Sequence, residues 1–235
     1  MGFYDTIILD IEGTVCSIFF VQNVLFPYFL DKFPFLLEQV EFPLDHKGNV
    51  AMTQILAKFP ERYTKSKECL TTYINELVAN DIKDPTLKEL QGIVWQAGYE
   101  EGEIVVNLYD DVIEALDRWN KEGKSVYIYS SGSIKAQKLL FSHVKFKNEI
   151  RDLTNHVKGY YDPTVVGSKI ESKSYEHILN DINKDPESAI FLSDNMKEVT
   201  ASTQAGIKSF VVIRPGNTVR YHNPSLDFVD CFDNL

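Results

Sequence analysis

The sequence has little that could staple or ligate it. Three cysteines, Cys16, Cys69 and Cys231, are scattered over 235 residues. An odd and sparse count excludes a disulfide framework and fits reduced thiols in the cytosol. The five histidines (His46, His143, His156, His177 and His222) form no His-x-His or helical i, i+4 pair. That spacing gives no zinc site. Basic residues are also short, 24 against 34 acidic ones, for a formal net charge of -10. Such a balance argues against nucleic acid as a partner, since phosphate backbones want a basic face. Any anionic substrate must therefore be drawn in by local charge, because the overall field repels it. Long apolar runs are missing too. The aromatic stretch from Ile18 to Leu37 is broken by Gln22, Asn23, Pro27, Asp31, Lys32 and Pro34, so it cannot span a membrane. No basic region leads into a long apolar one at the start, and no signal peptide is expected. Met1-Gly2-Phe3-Tyr4-Asp5-Thr6 fits the myristoylation pattern, but Thr6 opens a predicted strand that would tether Gly2 near a sheet. The expected location is the cytoplasm, with nuclear entry open to a chain this small.

What is present is more telling. Hydrophobic residues make up 44% of the chain, enough for a packed core. Near the start, Thr6-Ile7-Ile8-Leu9-Asp10-Ile11-Glu12-Gly13-Thr14 runs from an apolar strand into two carboxylates and a Gly-Thr turn. Asp10 then stands at the C-terminal edge of a buried strand, where open α/β sheets bind ligands. The glycine lets the backbone turn sharply and approach a ligand closely. Two carboxylates converging there suit magnesium, a hard cation that takes oxygen ligands. They also allow one to act as nucleophile and the other as acid and base.

Four short runs read as buried parallel strands: 6–9, 125–129, 189–192 and 209–213. Each is rich in β-branched or aromatic residues and nearly free of charge. Helical patterns lie at 111–122, 134–141, 174–182 and 195–205. In the first of these Val112, Ile113, Leu116 and Trp119 share a face, and Gly123 stands at the C-cap. Strand-helix alternation implies right-handed crossovers and a parallel sheet. From about residue 17 to 102 the rhythm breaks and helical spacing dominates. An insert placed directly after the Asp10 loop is well positioned to cover a site.

Three further segments carry chemistry. Tyr127-Ile128-Tyr129-Ser130-Ser131-Gly132-Ser133 ends the second strand with hydroxyls and a glycine that could hold a phosphate; helix capping by Ser131 or Ser133 is the plainer alternative. Phe191-Leu192-Ser193-Asp194-Asn195 ends the third strand with a carboxylate, followed by Glu198. Asp194 could complete a magnesium site with Asp10 or cap the next helix. Gly167-Ser168-Lys169-Ile170-Glu171-Ser172-Lys173 offers two lysines. Lys169 could neutralise phosphate and a nucleophilic aspartate together, with Lys173 as a surface control.

These blocks resemble the four motifs of the haloacid dehalogenase superfamily. The likeness is closer to its enolase-phosphatase branch (acireductone synthase of methionine salvage), which shares Asp10-x-Glu12-Gly13-Thr14, the serine motif with Ala136-Gln137-Lys138-Leu139-Leu140-Phe141, and Gly167-x-Lys169-x-Glu171-Ser172-x-Ser174-Tyr175. Most of the superfamily has Asp-x-Asp first; Glu12 is the form this branch uses. Glu198 stands where relatives often carry a second aspartate. The resemblance implies an α/β fold with a Rossmann-like parallel sheet, helices on both faces, a core domain over 1–16 and 103–235, and a helical cap over 17–102. It implies one Mg2+ held by Asp10, Glu12 (through its backbone carbonyl) and Asp194. Asp10 and Glu12 would be catalytic, and Ser130, Ser131 and Lys169 would bind substrate. The expected reaction converts 2,3-diketo-5-methylthiopentyl 1-phosphate to acireductone through an aspartyl-phosphate on Asp10. The expected partner is that small phosphorylated diketone, with neither nucleic acid nor membrane, and the chain is expected as a monomer. Phe19, Phe20, Val24, Phe26 and Phe29 would hold the methylthio tail or form the core of the insert. A general sugar-phosphate phosphatase and a phospho-acceptor signalling module are the alternatives. Receivers of the latter kind are about half this size and lack the insert.

Overall fold

The computed structural model describes residues 4–45, 51–217 and 225–235. Gly2, His46 and His222 lie outside them. The strands are β1 Thr6–Leu9, β2 Ser125–Tyr129, β3 Val144–Phe146, β4 Glu149–Arg151, β5 Val157–Tyr161, β6 Ala189–Ser193, β7 Lys208–Val212 and β8 Asp227–Val229. The α-helices are α1 Phe26–Leu37, α2 Ala51–Leu56, α3 Lys67–Ala79, α4 Pro85–Glu100, α5 Asp110–Lys121, α6 Ile134–Ser142, α7 Pro163–Val166, α8 Ser172–Asp181 and α9 Met196–Gln204. By contact the chain divides into two compact units, Val21–Ile104 on one hand and Met1–Phe20 with Val105–Leu235 on the other.

The second of these units is built on a six-stranded sheet of order β5-β2-β1-β6-β7-β8, parallel throughout. The first strand lies inside the sheet, and the chain then adds strands on either side of it. Register places Leu9 beside both Ile128 and Leu192, so β1, β2 and β6 end at one level. The residues that follow them therefore gather at one edge, the crevice expected for a ligand. On one face Ile8, Tyr129, Tyr161, Phe191 and Val211 pack with Tyr175, Ile178 and Leu179 of α8 and Val199 of α9. Alternation sends Ile7 and Leu9 to the opposite face. α5 packs against β2 and buries Val112, Ile113, Leu116 and Trp119, the stripe anticipated from the sequence.

β5 and β8 escape the sequence reading, as does the β3–β4 hairpin. β5 reads Val-Lys-Gly-Tyr-Tyr, and Lys158 and Gly159 interrupt any apolar run. Edge strands tolerate such residues. Gly159 has a packing reason: an added Cβ would come 3.0 Å from the Tyr127 ring, beside the irregular register between Val126 and Tyr127.

The unit Val21–Ile104 contains helices and no strand among its described residues. Its helices start where the sequence supplies caps. Ser66 accepts the Cys69 amide ahead of α3, and Asp84 accepts the Leu87 amide ahead of α4, with Pro85 at its first position. Phe29, Phe33, Leu37, Leu70, Ile74 and Leu90 fill its core. Phe29 and Phe33 stack at 5.5 Å. Phe29 is fully buried, so it serves as core. Phe19 and Val24 are exposed. No described helix is long and apolar enough to cross a membrane.

Candidate active site

Asp10 follows β1 and keeps the sheet geometry for one more residue, its amide donating to the Leu192 carbonyl at 2.9 Å. The chain then turns. The Ile11 carbonyl accepts from the amides of Thr14, Val15 and Cys16, and Gly13 adopts φ +72°. An added Cβ on Gly13 would lie 2.6 Å from Asp194 Oδ2, so this glycine is needed both for its φ and for the approach of that carboxylate. Thr14 binds the two loops together, its Oγ1 accepting the Asp194 amide at 3.1 Å.

Lys169 reaches the same place from the loop ahead of α8. Three consecutive carbonyls of that loop are held: Gly167 by the Tyr129 hydroxyl, Ser168 by the Ser174 hydroxyl and Lys169 by the Tyr175 hydroxyl, each at 2.7 Å. Gly167 has φ +102°, and a Cβ there would meet Ser174 Oγ at 2.8 Å. Thus fixed, Lys169 Nζ donates to Asp10 Oδ1 at 2.5 Å and lies 2.8 Å from Glu198 Oε2. Its ammonium also sits over the Tyr129 ring, 5.6 Å from the centroid. Lys173 is exposed.

Ser193 was not anticipated. It is fully buried, and its Oγ lies 3.1 Å from Asp10 Oδ2 and 2.9 Å from Glu198 Oε2 while accepting the Asn195 amide at 3.1 Å. Its signal in the sequence was only position, one residue before a strand-end aspartate. Asn195, not Asp194, caps α9 by accepting the Lys197 amide at 3.0 Å. Ser133 likewise caps α6 through the Ala136 amide. Neither Asp194 nor Ser131 is spent on those caps.

A cavity of about 490 Å3 opens at this edge, lined by Asp10, Glu12, Ser131, Lys169, Asp194 and Glu198, with Ile18 and Met196 among its apolar walls. Of the two expected serines, Ser131 lines it. Ser130 is buried beneath, its Oγ accepting the Gly132 amide at 3.4 Å. The electrostatics are those of crowded acids around one cation. Burial, then the charges of Asp10 and Glu198, push the Asp194 carboxyl up to about 7. Burial and Asp10 also raise Glu198 against the opposing pull of Lys169. Burial works against the Lys169 ammonium, but Asp10 and Glu198 more than offset it, and its pKa stands above the ordinary value. This is an oxygen-rich donor set with unrelieved negative charge, which fits a hard divalent cation. Among the described residues no three His, Cys, Asp or Glu side chains form a metal cluster. Asp10 and Asp194, which both line this cavity, are the candidate side chains to hold such a cation.

A family model described as haloacid dehalogenase-like hydrolase matches residues 4–206. The chain belongs to this family. It is 83% identical over 235 residues to enolase-phosphatase E1 of Komagataella phaffii, covering 100% of both chains. It is 50% identical over 218 residues to enolase-phosphatase E1 of Candida tropicalis, covering 91% of this chain and 90% of that one. Among solved structures, the UTR4 protein of Saccharomyces cerevisiae superposes with a TM-score of 0.86 at 42% identity, covering 99% of this chain and 100% of that one. Family membership gives the strand-end carboxylates a chemical setting, that of a hydrolase.

Proposed function

We propose that the chain is a magnesium-dependent enolase-phosphatase that turns 2,3-diketo-5-methylthiopentyl 1-phosphate into acireductone, as in methionine salvage. One observation carries this reading: a buried strand-end aspartate paired with a buried lysine, in a cavity shared with Asp194, within a chain 83% identical from end to end to an enolase-phosphatase E1.

Asp10 and Asp194, with the carbonyl oxygen of Glu12, would hold one Mg2+, which supplies charge neutralisation of the phosphate and polarisation of the neighbouring carbonyl. The residues do the rest. Lys169 and Ser131 orient the phosphate against Asp10, and Ser130 shapes the loop beneath them. An Asp10 carboxylate oxygen attacks phosphorus, and the bond from phosphorus to the substrate oxygen breaks. Glu12 gives its proton to that departing oxygen, then takes one from the water that cleaves the aspartyl-phosphate. Lys169 stabilises the anionic groups throughout.

The test is a progress curve on the diketone phosphate with Mg2+, following enol absorbance and phosphate together. A transient enol ahead of phosphate is expected. Phosphate release with no enol transient would leave a plain phosphatase, and no turnover at all would remove the assignment.

A further inference from the structure

The four residues that follow Ile213 after β7 belong to none of the motifs above, yet they hold the Asp10 turn. Arg214 is 6% exposed. Its Nε donates to the Thr14 carbonyl at 3.1 Å. Its Nη1 and Nη2 grip Asp111 at 3.0 and 2.8 Å, and Nη1 also reaches the Asp230 carbonyl at 3.0 Å. The guanidinium lies between the rings of Tyr109 and Phe232, at 4.5 and 4.7 Å. Three residues on, Asn217 Nδ2 donates to the Gly13 carbonyl at 2.8 Å. The turn is closed by the Asn217 amide on the Arg214 carbonyl at 3.1 Å. Gly216 between them has φ +90°, and a Cβ there would strike the Phe19 ring at 2.7 Å.

We propose that Arg214-Pro215-Gly216-Asn217 is a positioning element. By fixing two consecutive carbonyls, of Gly13 and Thr14, it sets the path of the turn that carries Asp10 and Glu12. It thereby sets where Asp194, hung from Thr14 Oγ1, meets that turn. Gly13 lies between the two partners: its added Cβ would be 2.6 Å from Asp194 Oδ2 and 3.0 Å from Asn217 Oδ1. Asn217 Oδ1 is buried and has no hydrogen-bond partner among the described residues. The amide is thus oriented by what its nitrogen gives, to the Gly13 carbonyl and, at 3.3 Å, to that of Val212. Supports one shell behind metal ligands commonly change affinity or activity by about 10–100-fold.

The inference rests on the magnesium reading above. Its test is Asn217→Ala, with Arg214→Lys beside it. Four quantities are measured: Mg2+ affinity by calorimetry without substrate, the metal-free Tm, kcat and KM. The expected result for Asn217→Ala is Mg2+ binding and kcat each weakened about tenfold, KM nearly unmoved and the metal-free Tm nearly kept. Arg214→Lys keeps the charge but cannot span Thr14, Asp111 and Asp230 together, and should weaken Mg2+ binding and kcat in the same way, with a lowered metal-free Tm beside them. Both variants binding Mg2+ as tightly as the unaltered chain, whether or not Tm falls, would overturn the inference alone. An unaltered chain that takes up no Mg2+ would sink the metal reading with it.

Discussion

Replacing Lys169 with methionine keeps the length of the side chain and removes its charge. The ammonium lies 2.5 Å from Asp10 and 2.8 Å from Glu198. At an effective dielectric of about 20, each pair attracts by about 6 kcal/mol. Most of that gross attraction is cancelled by the cost of stripping water from a fully buried ammonium and its partners. Breaking such a pair by removing one member costs about 3–5 kcal/mol, because the remaining charges stay buried and unpaired. At about 2–4 °C per kcal/mol for a chain of this size, Tm should fall by about 6–20 °C. The loss should grow between pH 6 and 8, since Asp194 and Glu198 are already pushed upward and can shed their charge only at the acid end. In the unaltered chain the Lys169 pKa is raised. As far as its own proton is concerned, its stabilising contribution is therefore undiminished up to the unfolded value near 10.4 and is lost only as pH climbs through the higher folded value; the change between pH 6 and 8 comes from its acidic partners alone.

The kinetic effect should be larger than the thermal one. A fixed donor aimed at developing charge is worth about 10²–10³ in kcat, and Lys169 also holds the nucleophile. We expect Lys169→Met to lose at least that factor in phosphate release, with Lys173→Met near normal. Calorimetry and steady-state kinetics on both variants decide the matter. Equal activities, or a Lys169→Met enzyme that keeps more than about a tenth of its kcat, would refute the role given to this ammonium.

Two other substitutions separate chemistry from architecture. Asp10→Asn removes the nucleophile but keeps the shape, so turnover should drop by about 10⁴ or more while Tm stays within a few degrees, as the carboxamide oxygen still accepts from Lys169 and its nitrogen can donate to the Ser193 hydroxyl oxygen; phosphate release at the unaltered rate would end the nucleophile assignment. Phe29→Ala should cost about 3–5 kcal/mol, read by denaturant titration, because its ring is fully buried against Phe33; undiminished stability with a raised KM would instead return Phe29 to the substrate.

The interior of the sheet was legible because its strands obey a simple rule. β1 and β6 are covered on both faces and read as short uncharged runs. β5 and β8 were not, because an edge strand needs only one neighbour and tolerates Lys158, Gly159 or Asp227. The same division runs through the site. Asp10, Ser131, Lys169 and Asp194 could be picked out because chemistry places particular residue types at strand ends or ahead of helices. The groups that hold them could not. Ser193 is a small residue inside a strand, Tyr129 and Tyr175 read as core aromatics, and Asn217 reads as an ordinary turn residue. Their work is done by one hydroxyl or amide each, on backbone carbonyls and on side chains far away in sequence: Tyr129 on Gly167, Ser193 on Asp10, Asn217 on Gly13. Residue type announces a charge or a nucleophile. It does not announce which carbonyl a hydroxyl will meet, since that is decided only when β2, β1, β6 and β7 lie side by side. A sequence with the four motif residues and a different set of these supports would read the same, yet it would hold Asp10 and Lys169 in another geometry and lose the 2.5 Å contact on which the proposed chemistry turns.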